Sequence, residues 1–147
     1  MSDIYPPPHL RLLPHPVQTV LTSFAGAYFV AALVTDIAYW KSANMMWANF
    51  SSWMLVAGLV VGGLALLAAL VNAVRRRHPG SRRPAWLVFL GLLVVWALAL
   101  VNAFVHSRDA WTSVVPTGLA LSAVVVLLLV VLGWTGWTAT RHRVGVL

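Results

Sequence analysis

The chain has no cysteine and only three carboxylates in 147 residues, Asp3, Asp36 and Asp109. The first absence excludes disulfides, thiolate catalysis, iron–sulfur ligation and covalently attached c-type haem. The second argues against two-carboxylate acid–base chemistry and against hard-metal cages, both of which need more acidic groups. Charge of either sign is scarce: 9% of residues are charged and 61% are hydrophobic, with a mean hydropathy of +0.85. A soluble domain carries ~25% charged residues. The composition therefore excludes an ordinary soluble enzyme.

What the chain does have is long apolar runs. Four of them reach the ~20 residues that a helix needs to cross a hydrocarbon core. They lie at 17–40, 53–74, 86–105 and 114–137. The segments between them are too short to hold a soluble domain, so one transmembrane domain covers 1–147. Ala25-Gly26-Ala27 has the small-x-small form of a signal-peptide cleavage site. Gln18, Thr19, Thr22 and Ser23 dilute the stretch before it, and the apolar run continues to Trp40, so an uncleaved first helix is expected.

The net charge of +7 invites a nucleic-acid reading, but the basic residues lie just outside the apolar runs. Five of the ten Lys and Arg residues fall within Arg75–Arg83, between the second and third runs. With four spans, that loop shares a side with both termini. Arg11, Arg75, Arg76, Arg77, Arg82, Arg83, Arg141 and Arg143 occupy this side, against Lys41 and Arg108 on the other. Eight against two in short loops is a positive-inside signal. The expected fold is an all-α, integral membrane four-helix bundle with both termini cytoplasmic, because only helices or closed barrels satisfy backbone groups in lipid. The expected location is a bacterial inner membrane. The partner is the lipid bilayer and not nucleic acid.

Small residues mark the expected contact faces. Gly58 and Gly62 form a GxxxG on helix two, continued by Ala65, Ala69 and Ala73, and helix one offers Ala27, Ala31 and Thr35. The polar residues inside the spans are the candidates for chemistry. Asp36 is the only carboxylate in a span, so it is a functional candidate by default, with a structural Asp near the outer interface, paired with Arg108 or a Trp donor, as the plainer alternative. Asn72 and Asn102 are read as interhelical hydrogen-bonding residues near opposite ends. Gln18, Thr22 and Ser23 make the inner half of helix one polar enough to face protein, a cavity or a head group.

Five histidines remain. His9, His15, His78 and His142 belong to the cytoplasmic side and His106 to the other. His15 and His142 flank the inner ends of helices one and four, where two axial histidines could hold a non-covalent haem. No cluster has the spacing of a catalytic metal site.

These features together resemble the DUF2231 family of small four-helix bacterial membrane proteins. A His15-Pro16-Val17 opening precedes a helix that ends with the family's Asp, Asp36. A Trp-then-glycine helix follows, with Trp53, Gly58, Gly62 and Gly63, and Thr140-Arg141-His142-Arg143-Val144-Gly145-Val146 closes the chain. The family often opens with further histidines where this chain has Gln18 and Ser23, and an Asp is common where Asn72 stands. Some relatives resemble redox modules. The resemblance thus implies a redox-associated membrane subunit beside a respiratory or dehydrogenase partner, with haem b or quinone near His15 and His142. The residues themselves favour no cofactor, no catalytic activity of the chain alone, and a non-catalytic anchor or structural subunit that also admits homo-oligomers. A transporter built on Asp36 is the third reading, weakened by the lack of an inverted repeat.

Overall fold

A computed structural model describes the backbone of residues 16–75, 85–108 and 114–144, with side chains through Trp134. Four helices account for nearly all of it: α1 (Pro16–Ser42), α2 (Met45–Arg75), α3 (Ala85–His106) and α4 (Thr117–Val144). Each is long and apolar enough to cross a membrane. Pro16 opens α1, where a missing amide hydrogen costs nothing. The helices run alternately up and down, and each packs mainly on the next, with α4 returning to α1.

The inward face of α1 has a strict spacing. Ala25, Phe29, Ala32, Asp36 and Tyr39 are buried, at intervals of four and three residues. That is the stripe by which one helix packs along another. It is not the stripe of Ala27, Ala31 and Thr35 expected from small residues alone. Ala27 is exposed, because on this helix one large side chain fills the space left by glycines opposite. A Cβ on Gly58 would lie 2.7 Å from Phe29 Cε1, and one on Gly62 would lie 3.4 Å from Trp96 Cδ1. The glycines of α2 thus admit the Phe29 ring from α1, while Trp96 Nε1 of α3 donates to the Leu59 carbonyl across 3.0 Å. Ala65, Ala69 and Ala73 continue the buried face of α2.

The segment 41–52 is mostly helix and not a connection. The chain turns at Ala43, which has φ 49°, and α2 starts at Met45. A left-handed residue is a common way to stop a helix, and the Ala43 amide donates back to the Tyr39 carbonyl at 2.7 Å. Asn44 Oδ1 then accepts from the Met46 amide at 2.9 Å, an N-cap for α2. Outside the bundle, Val30, Val34, Val60, Leu67, Phe104, Leu127 and Val130 are exposed. In water this surface would aggregate; in a bilayer it is the lipid-facing side.

Candidate functional site: a closed hydrogen-bond ring at one end of the bundle

The apolar core of Ala25, Phe29, Ala32, Leu55, Val95, Ala99 and Val125 separates two polar ends. At the end carrying the α1–α2 turn, the buried stripes of three helices each reach a polar residue. On α1, Asp36 follows Ala32 by four positions. On α3, Asn102 follows Ala99 by three, and His106 follows Asn102 by four. On α4, Ser122 precedes Val125 by three. Asp36 and Asn102 have no exposed surface, and Ser122 and His106 are buried as well.

These four residues form a ring. Asn102 Nδ2 donates to Ser122 Oγ at 2.7 Å, and Ser122 Oγ donates to Asp36 Oδ2 at 2.6 Å. Asp36 Oδ1 lies 2.9 Å from His106 Nε2. His106 Nδ1 closes the ring on the Asn102 backbone carbonyl at 3.0 Å. Three of these bonds cross between helices and tie α1, α3 and α4 together. Interhelical bonds of this kind contribute ~0.6 kcal/mol on average in membrane bundles, and up to ~1.7. Thr35 of α1 adds α2 by a 2.7 Å bond to Ser51 Oγ.

The chemistry of the partners sets the directions of the bonds. A carbonyl only accepts, so His106 Nδ1 carries a hydrogen. Asn102 Nδ2 only donates, so the Ser122 hydroxyl hydrogen is directed to Asp36 Oδ2. Asp36 Oδ1 and His106 Nε2 share the remaining bond of the ring. Asn102 Oδ1 is the buried side-chain acceptor that finds no partner among the described residues.

Access and order set what this arrangement can do. Tyr39, Ala48 and Val114 pack together at the same end of the bundle, one turn beyond Asp36 and Ser51, and Trp47 and Val115 lie against them. With the apolar core on its other side, the ring is enclosed. Asp36 stands between the histidine and the serine, whereas a nucleophilic serine needs the imidazole beside it. The constellation is therefore not a hydrolase triad. No group of three metal-binding side chains occurs among the described residues.

The opposite end is built more loosely. Asn72 Nδ2 on α2 donates to Gln18 Oε1 on α1 at 2.5 Å. Thr22 and Ser23 bond back to the Gln18 and Thr19 carbonyls of their own helix. Val17, Gln18, Leu67, Ala68, Val71, Asn72 and Arg75 line a groove of about 280 Å³ there.

Of the residues singled out from sequence, Asp36 and Asn102 thus meet through Ser122, and Gln18 meets Asn72. Ser23 joins neither group. Asp36 takes His106 and Ser122, and not Arg108, which is exposed two residues beyond His106. His15 and His78 lie outside the described residues, and His142 lies on α4 beyond the described side chains. The apolar run at 86–105 stops one residue short of His106, yet His106 is the last residue of α3 and is buried. Its signal was the spacing: Val95, Ala99, Asn102 and His106 recur every three or four residues, so the histidine continues the inward stripe.

A protein-family model described as "Predicted membrane protein (DUF2231)" matches residues 14–147. No curated protein and no solved structure matches the chain.

Proposed function

The chain belongs to the DUF2231 family of predicted membrane proteins, and we propose that it acts as a non-catalytic, multi-pass structural or anchoring subunit of a larger membrane assembly. The observation that carries this reading is the enclosed ring of Asp36, His106, Ser122 and Asn102. Its polar groups, Asn102 Oδ1 excepted, are spent on one another across three helices, which suits a clasp that fixes a bundle more than a site that turns over substrate. The bundle offers lipid-facing apolar surface on its outside. On the count of basic residues, the end with Arg75 and both termini faces the cytoplasm of a bacterium, and the ring lies near the outer face of its inner membrane.

Blue-native electrophoresis of membranes with and without the chain tests this. Loss or shift of one membrane complex is expected on deletion. Unchanged complexes and unchanged respiratory activity would count against the anchor.

A redox-associated subunit is the second reading. It is favoured by the groove beside Gln18 and Asn72, whose amides and apolar walls lie at the start of α1, next to His15 in sequence. Here haem b would use His15 and His142, or a quinone would take the amide hydrogens. An absorption spectrum of the detergent-purified protein, with organic extraction, decides it. A Soret band or stoichiometric quinone would put this reading first, and neither would remove it.

A further inference from the structure

The groove between α1 and α2 has an internal order that the anchoring role leaves unexplained. Its α2 wall is a single stripe, Leu67, Ala68, Val71, Asn72 and Arg75. Eight residues of helix rise ~12 Å. Along that distance the wall changes from aliphatic to amide to guanidinium, running toward the end of the helix. A phospholipid in a leaflet has the same order: acyl chain, ester and glycerol oxygens, then phosphate. The α1 wall adds the Gln18 amide at the level of Asn72, with Val17 beside it.

We propose that this groove holds one anionic phospholipid, with its phosphate at Arg75, its glycerol-ester region at Asn72 and Gln18, and an acyl chain along Leu67 and Val71.

Donor supply supports the assignment. The two amides carry four hydrogens, and the Asn72–Gln18 bond uses one of them. Arg75 is exposed, and a guanidinium presents its donors in a fork that matches phosphate. Charge favours an anion. No acidic residue occurs between Asp36 and Asp109, so α2 supplies no carboxylate to neutralise Arg75, and four more arginines follow it within eight residues of sequence. Basic pockets between helix ends are where anionic head groups bind in membranes. The apolar half of the groove selects a lipid over free phosphate. Leu67 and Val71 are both exposed along it, so an acyl chain would cover apolar surface that a bare anion would not.

The test is native mass spectrometry of the full chain in detergent, titrated with phosphatidylglycerol and with phosphatidylcholine of the same acyl chains. Wild type should bind the first phosphatidylglycerol about five-fold more tightly, as one basic residue near the surface provides. Arg75→Gln should remove that preference. Val71→Trp should abolish the first lipid adduct while leaving the charge intact. Arg108→Gln, an equal loss of charge at the other end, should change neither. Both groove positions face outward, so their variants do not depend on repacking the core. Equal affinity of wild type for the two lipids would overturn the proposal. So would an unaltered adduct in Val71→Trp, or extraction of a quinone that Val71→Trp displaces. Each outcome is independent of whether a membrane complex is lost on deletion.

Discussion

The two ends of this bundle use similar residues to opposite effect. At one end Asp36, His106, Ser122 and Asn102 are buried and bonded in a ring across three helices. At the other, Gln18 and Asn72 make one bond between two helices, beside an open groove. The difference teaches that a polar residue in a membrane helix has no fixed role. Where every neighbour is another helix, it must be satisfied by protein and becomes a clasp. Where the bundle opens to head groups, it keeps hydrogen-bonding capacity for something else.

The comparison predicts a ranking. Asp36→Leu should have the largest effect. It leaves His106 and Ser122 without their partner in an enclosed site and should cost ~3–5 kcal/mol, as breaking a buried pair does. Reversible unfolding in mixed micelles would measure it. Gly58→Val comes next, at ~1–3 kcal/mol, because the added carbon meets the buried ring of Phe29 at 2.7 Å. Gly26→Ala is its control, since nothing lies within 4 Å of the new carbon. Asp36→Asn separates charge from bonding pattern. An amide can donate to His106 Nε2 and accept from Ser122, so this change should cost less than ~1 kcal/mol beyond the exchange of one hydrogen bond. A loss as large as that of Asp36→Leu would mean that the charge, and not the bonding pattern, holds the site. Asn72→Leu should be the mildest, at ~0.6 kcal/mol.

The four-helix fold was legible because lipid leaves a chain few choices. Four apolar runs had to be helices, and their lengths fixed the number of crossings. The start of α2 was not legible. Met45–Ser52 carries aromatics, methionines and serines that suit an interface as well as a helix, and only the cap at Asn44 shows that the helix begins there. Asp36 and Asn102 announced themselves as polar residues within spans. His106 did not, because the sequence after it is polar and the end of a span is defined only to a turn. Ser122 was hidden for another reason: a serine in a long apolar helix satisfies itself on its own backbone as readily as on a neighbour. The ring became visible only when the depths of α1, α3 and α4 were known together.

The most direct test of the central claim is a double-mutant cycle on Asp36→Leu and His106→Leu, read by unfolding free energy. If the two side chains form one unit, the double variant should cost at least ~1.5 kcal/mol less than the two single costs added together, within the range seen for residues in contact. Costs that add to within ~0.5 kcal/mol would show that the two residues act independently, and would contradict the ring as the clasp of this bundle.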